Sequence, residues 1–384
     1  MKYFIKTFGC QMNFSDSERA ASFLDQRGLK QTGKPEEAEL IIVNTCAVRQ
    51  TAEDRVWGNL KNYKEKNPES KVILTGCMAH REDVRKNLSK YVDVFASIED
   101  VWSELEKLIN SEEIESPENY LQIIPKYKHD DFAFVPIMTG CNNFCSYCVV
   151  PYARGREWSR SPEDIFEEIK KLNEKEIKEV LLLGQNVNSY RYRILNQEYS
   201  ILNKLNSKFE IRNSKFKRQN GEKIGFPELL YFLAKSFPVI NWRFITSHPK
   251  DLSDELIDVI AENRNIPNEI HLPLQSGSNK VLKDMNRPYT QEHYLNLIKK
   301  IRSRLPDAII TTDVIVGFPT ETEEDFQETV KIFEKIKFDD AFINKYSPRP
   351  QTAARKLGNP TSWDEKKRRE KILKQKLLQK QKRC

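Results

Sequence analysis

Along the first 110 residues, short apolar runs alternate with longer charged segments whose apolar positions recur at helical spacing. The runs are YFIKTFGC, ELIIVNTC, KVILTGC and VDVFAS, and segments such as SDSERAASFLDQRG and TAEDRVWGNLKNYKEK lie between them. Strand-helix alternation predicts a parallel sheet covered by helices. Residues 111–131 have no clear period and read as a linker. From 132 to 360 a second series follows, with strands FAFVPIMTG, EVLLLGQN, NWRFITSHP, EIHLPLQSGS, AIITTDVIVGFP and AFINKYSPRP. Helical patterns such as SPEDIFEEIKKLNEK, DELIDVIAENR and TEEDFQETVKIFEKIK separate them. The expected fold is therefore α/β: an N-terminal parallel-sheet unit over residues 1–110, then a partial (βα)6 barrel whose working face is the C-terminal end of its strands.

Charge adds two features to this outline. The net charge of +7 resides in residues 361–384, which hold ten Lys/Arg against three Asp/Glu and read as a basic, helix-like tail. A second basic stretch, residues 191–223, carries nine Lys/Arg against three Asp/Glu and interrupts the barrel series after its second strand, as an insertion. Concentrated positive charge suits a polyanion such as RNA, although a charge run is as often a solvated helix face. No apolar run approaches the roughly 20 residues that span a bilayer, and the N-terminus lacks a signal peptide's apolar region, so the expectation is a cytoplasmic protein without membrane contact.

The candidate chemistry lies in the cysteines. Seven in 384 residues are too few and too irregular for a disulfide scaffold. Cys10, Cys46 and Cys77 each end a predicted strand and are expected to converge at one sheet edge, where such folds build sites. The plainer alternative is three ordinary buried cysteines. Cys141, Cys145 and Cys148 form a C-x3-C-x2-C loop after the first barrel strand. Thiolates select zinc, copper(I) or iron-sulfur clusters, and three ligands leave one of four positions open. A zinc reading needs a remote His or Cys384 as fourth ligand. An open iron, by contrast, can bind a small molecule and pass it an electron.

The C-x3-C-x2-C loop on a partial barrel resembles the radical S-adenosylmethionine enzymes. FGCQMNFSDSE, NTCAVR and TGCMA upstream of GCNNFCSYCVVPYARGRE resemble the methylthiotransferases among them, as do LLGQNVNSY, TSHPKDLSDELI, HLPLQSGS, VLKDMNRPYT, TTDVIVGFPTETEEDF and YSPRPQT. The resemblance implies that Cys141, Cys145 and Cys148 ligate a [4Fe-4S] cluster whose fourth iron is chelated by S-adenosylmethionine. It implies that Cys10, Cys46 and Cys77 hold an auxiliary [4Fe-4S] cluster that supplies or carries sulfur. It further implies methylthiolation at C2 of N6-dimethylallyladenosine next to the anticodon of tRNA, the cofactor-derived radical removing a hydrogen that acid-base chemistry cannot easily take. Threonylcarbamoyladenosine in tRNA or a ribosomal-protein side chain is the alternative substrate, and a non-catalytic metal-stapled RNA-binding protein is the rival class. An electron donor and a sulfur source are implied partners, and the expected state is a monomer.

The same resemblance places Tyr147 near adenine, Gly184, Gln185 and Asn186 against the methionine part of the cofactor, Gln275 and Ser276 at the ribose, and Ile315, Val316 and Gly317 against adenine. His248 and His271 are expected as hydrogen-bonded structural histidines, with catalysis the alternative. Arg154 and Arg156 are expected either to meet RNA phosphate or to tune the cluster. The family's small C-terminal RNA-binding TRAM domain has no counterpart here. Either the chain is a truncated form defective in tRNA binding, or the tail and insertion replace that domain. Cys384 reads as an incidental thiol.

Overall fold

The structure, a computed structural model, describes residues 1–47, 50–109, 119–193 and 223–381. Residues 110–118 of the expected linker, 194–222 of the basic insertion and Cys384 lie outside the described residues.

The N-terminal sheet contains β1 (Lys2–Thr7), β2 (Lys30–Gln31), β3 (Leu40–Thr45), β4 (Lys71–Gly76) and β5 (Val94–Phe95), all parallel, in the order β2-β1-β3-β4-β5. Its central strand, LIIVNT, is buried at every position, as helices on both faces require. Thr7 lies opposite Asn44 and Thr45 opposite Gly76, so the three cysteine-bearing ends emerge from adjacent strands along one edge.

The second series gives β6 (Phe132–Pro136), β7 (Met138–Thr139), β8 (Trp158–Ser159), β9 (Glu179–Leu183), β10 (Arg191–Arg193), β11 (Lys223–Gly225), β12 (Asn241–Phe244), β13 (Glu269–His271), β14 (Ile309–Val316) and β15 (Asp340–Lys345). Six of these form two parallel three-stranded sheets, β12-β9-β6 and β13-β14-β15. Arg243 of β12 joins them by pairing with both Glu179 of β9 and Glu269 of β13. Val180, Leu182, Trp242, Ile270, Ile310 and Val314 face the helical layer in one core with Ile165, Leu256 and Phe326.

Three departures from expectation have local causes. FAFVPIMTG breaks in two, because Ile137 accepts a hydrogen bond from the Arg160 N–H (2.9 Å) and Met138–Thr139 then pairs antiparallel with β8. β10 and β11 pair antiparallel and join the two ends of the insertion. The basic tail is a helix, Trp363–Gln381, laid onto the barrel. Its Leu373 is fully buried in the barrel core, Arg369 pairs with Glu321 (2.5 Å), and the buried Lys366 Nζ donates to the Tyr346 carbonyl (2.8 Å). Arg368, Lys374 and Lys376 pair with Glu365, Glu370 and Glu334. Much of this charge is thus engaged by the protein's own carboxylates, which removes the support for the tail as a substitute RNA-binding arm. Leu373→Ala is expected to lower stability by about 2–5 kcal/mol, measured by urea unfolding, as for a core residue and unlike one on a free arm.

Candidate functional site

The C-x3-C-x2-C loop starts at Gly140, whose φ is +76° and where a Cβ would come within 2.0 Å of the Arg156 carbonyl oxygen. Only glycine lets the two backbones pass this closely. The Cys141 N–H donates to the Gly155 carbonyl (3.2 Å), and the Cys148 N–H closes a turn on Cys145 (2.9 Å). Distant motifs clamp the loop. Ser146 donates through its N–H to Met285 (3.0 Å) and through Oγ to Asp284 (2.8 Å), while Asn286 Nδ2 reaches the carbonyls of Asn143 (3.2 Å) and Phe144 (3.0 Å). Ala354 donates to the Ser146 carbonyl (2.8 Å), and Arg287 Nη1 lies 3.5 Å from Cys145 Sγ. Burial pushes the thiols of Cys141 and Cys148 up, the latter to about 12, so both carry protons unless a metal displaces them.

The other three cysteines occupy the sheet edge. Cys10 caps α1 (Gln11–Gln26), its sulfur 3.3 Å from Asn13 Oδ1. The helix dipole there favours negative charge. Asn13 Nδ2 donates to Asn44 Oδ1 (2.9 Å) and the Thr45 carbonyl (3.1 Å), which holds the Cys10 turn against β3. Gly76, at φ +83°, would drive a Cβ to 2.4 Å from the Thr45 oxygen, so glycine allows the turn that sets the Cys77 N–H on that carbonyl (2.8 Å). Arg154, from the helix Val150–Arg154 beyond the other cysteine loop, crosses to Asp16 of α1 (2.6 Å, both buried). Burial raises the Cys77 pKa, and the adjacent Arg154 opposes that rise. One side chain therefore bridges the two cysteine groups. On the far side Arg349 pairs with Glu53 (2.8 Å), close enough for Cys46 to act on its charge. Buried and paired, Arg154 cannot serve as the RNA-phosphate contact of that expectation. Arg156 is exposed, over the face of Phe144 (5.5 Å).

Among the described residues no three His, Cys, Asp or Glu side chains gather as they would around a single metal ion.

The remaining expected cofactor contacts come from the cysteine loop and from the strand ends. Tyr147 and Ile315 pack together with Met285 and Phe318. At Gly184 a Cβ would meet Met138 Cγ at 2.5 Å. Asn186 donates to Asp251 (2.7 Å), yet its Oδ1, Gln185 Oε1 and His248 Nε2 are buried without partners. Such atoms at neighbouring strand ends are what a polar ligand would satisfy. His248 Nδ1 accepts from the Lys250 N–H (3.2 Å), and burial, then Arg287 and Lys250, depress its pKa to about 2, leaving a neutral ring with an Nε2–H to donate. Gln275 takes φ +65° while its backbone pairs with Asp313 (2.8 Å) and Ile315 (3.0 Å). Ser276 is fully buried and its Oγ accepts from the Ser278 N–H (3.2 Å), which ties it to its own turn.

One expected adenine contact is corrected: strand alternation turns the Val316 side chain into the strand-helix core, opposite Ile315. At Gly317 (φ +70°) a Cβ would meet Lys366 Cγ at 2.5 Å. His271 bonds Asp313 and Thr311 (both 2.8 Å), the structural role expected of it. The reading of the sequence missed Asn13, Asp16, Arg287 and Arg349; all four lie within the quoted motifs, but nothing local tells where their side chains end.

Residues 135–333 match the radical SAM superfamily, and residues 2–97 match uncharacterized protein family UPF0004. The chain is 43% identical over 367 residues to the tRNA-2-methylthio-N(6)-dimethylallyladenosine synthase of Thermoanaerobacter pseudethanolicus, covering 92% of this chain and 72% of that protein. The synthase of the same name from Syntrophomonas wolfei is 43% identical over 383 residues, covering 96% and 80%. Among solved structures, the radical S-adenosylmethionine methyltransferase TsrM of Kitasatospora setae superposes with a TM-score of 0.59 at 12% identity, over 92% of this chain and 76% of that one, a likeness of fold.

Proposed function

The chain belongs to the radical SAM superfamily and, within it, to the tRNA-2-methylthio-N6-dimethylallyladenosine synthases, and from this we propose that it attaches a methylthio group to C2 of N6-dimethylallyladenosine next to the anticodon of tRNA. The observation that carries the reading is the pair of thiol trios, one along the edge of the N-terminal sheet and one on the cysteine loop, bridged by the buried Arg154–Asp16 pair. We assign Cys141, Cys145 and Cys148 to a [4Fe-4S] cluster with S-adenosylmethionine on its open iron, and Cys10, Cys46 and Cys77 to a second [4Fe-4S] cluster. When bound, these groups supply the one-electron chemistry that an unactivated aromatic C–H bond demands, together with the sulfur.

The chain's own residues bind and orient. Tyr147 and Ile315 offer apolar faces to adenine, and Gln275 lies toward the ribose. Gly184 lets the chain pass close to Met138 at the methionine end, where Gln185 Oε1 and Asn186 Oδ1 accept hydrogen bonds and His248 Nε2–H donates one. Residues 1–110 carry the auxiliary site and residues 132–360 the radical site. Among the described residues no helix is long and apolar enough to cross a membrane.

Analysis of nucleosides from tRNA incubated with reconstituted enzyme, dithionite, sulfide and S-adenosylmethionine tests the reading. The expected product is 2-methylthio-N6-dimethylallyladenosine; 2-methylthio-threonylcarbamoyladenosine instead would reassign the substrate.

The surface beside the cysteine loop suits an unstacked RNA loop. Phe144 and Tyr152 are 38% and 43% exposed and meet edge to face with centroids 6.1 Å apart, and the exposed Arg156 lies over the face of Phe144. Aromatic faces with a guanidinium stack bases at about 1–3 kcal/mol each. The double variant Phe144→Ala/Tyr152→Ala is expected to bind an anticodon stem-loop at least tenfold more weakly in fluorescence anisotropy, with iron content unchanged. Equal affinity would place the RNA elsewhere.

A further inference from the structure

Among the described residues six arginines are buried: Arg19, Arg154, Arg160, Arg287, Arg349 and Arg369. Five of them rest on a carboxylate, Arg19 and Arg160 on Glu168 (3.1 and 2.7 Å), Arg154 on Asp16 (2.6 Å), Arg349 on Glu53 (2.8 Å) and Arg369 on Glu321 (2.5 Å). Arg287 has no carboxylate partner among the described residues. Its Nε donates to Tyr289 Oη (3.0 Å), Nη2 to the Pro273 carbonyl (3.3 Å) and Nη1 to Cys145 Sγ (3.5 Å).

A guanidinium does not shed its proton, and a buried charge without a counter-ion is costly. The tyrosines beside it are no substitute, because a phenol carries no charge near neutral pH. The one partner able to become an anion is the Cys145 sulfur. The neighbouring segment pins the cysteine loop through Met285 and Asn286, so the cation is held in place before anything binds.

We infer that Arg287 is a positioning residue whose buried charge is completed by the cluster on Cys141, Cys145 and Cys148, and that it raises the reduction potential of that cluster. The inference rests on the assignment of those three cysteines to a cluster. The cluster takes one electron from a low-potential donor and becomes one unit more negative. A fixed cation and an N–H donor at one of its sulfurs stabilise that reduced form more than the oxidised one. Arg287 is not placed to touch the reacting carbon; it acts through Cys145.

The test is a dithionite-poised redox titration, followed by electron paramagnetic resonance, of full-length protein carrying Cys10, Cys46 and Cys77→Ala so that only the loop cluster reports. Arg287→Gln removes the charge, and Arg287→Lys keeps the charge without the fork. The expected result is that Arg287→Gln makes reduction at least tenfold less favourable, 59 mV for a one-electron couple, and that Arg287→Lys recovers most of the loss. An Arg287→Gln cluster at full occupancy with an unchanged potential would overturn the inference. If Arg287→Gln fails to hold iron, Arg287→Lys decides: iron with a potential near the parent supports it, and iron with a potential lowered tenfold or more, or no iron, overturns it. A parent protein without a loop cluster would instead overturn the cysteine assignment, and iron analysis shows this before any titration.

Discussion

Replacing Cys141, Cys145 and Cys148 together by alanine is expected to lower the iron of anaerobically reconstituted protein from about eight atoms per chain to about four and to abolish reductive cleavage of S-adenosylmethionine. The expected loss is complete because, among the described residues, the only other cysteines are Cys10, Cys46 and Cys77 of the separate trio. The fold itself should survive. The loop is anchored by backbone hydrogen bonds from Ser146, Ala354 and the Asn286 side chain, none of which uses a cysteine sulfur. The complementary variant, Cys10, Cys46 and Cys77→Ala, should also retain about four irons but should keep S-adenosylmethionine cleavage while losing product formation. Iron falling from about four to none in the first variant would leave Cys10, Cys46 and Cys77 as core cysteines. That outcome would remove the two-cluster assignment while leaving a radical enzyme.

The legible parts of this molecule were those set by short-range pattern. Short apolar runs ending in Cys10, Cys46 and Cys77 placed the three thiols on one sheet edge because parallel neighbours in register end together, as Thr45 and Gly76 do. The six barrel strands followed for the same reason. What stayed hidden depends on partners far along the chain. Arg154 was expected either to meet RNA phosphate or to tune the cluster, and its partner Asp16, which settles that it is buried, is 138 residues away. The tail looked like a free polycation, but Glu321 and Glu334 come to it from around the helix Glu323–Ile336. Val316 sat in a fitting motif, yet which way a strand residue faces is fixed by the sheet it joins. Arg287 shows the deeper limit, since its meaning lies in a carboxylate that is missing beside it.

Glu168→Gln is expected to cost about 3–5 kcal/mol of stability, which urea unfolding would register as a midpoint lower by about one molar or more. Glu168 lies between Arg19 of α1 (3.1 Å) and Arg160 (2.7 Å) and also accepts from Tyr127, all within the protein. It thus ties the helix that carries Asp16 to the barrel. Glutamine keeps the shape but withdraws the charge on which two buried guanidinium groups depend. Burial alone would raise the carboxyl pKa, but Arg160 and Arg19 outweigh it and hold it below its ordinary value of 4.5. A carboxylate whose folded pKa is depressed contributes its stability above the unfolded pKa and loses it as the pH falls through the folded value. The gap between the parent and Glu168→Gln should therefore be constant from about pH 8 to pH 6 and narrow in acid below about 4.5, where the parent's own carboxyl takes up a proton. A gap that persists unchanged to pH 3 would mean that glutamine disturbs packing rather than charge, and the Arg19–Glu168–Arg160 group would then be a shape contact between α1 and the barrel rather than an electrostatic one.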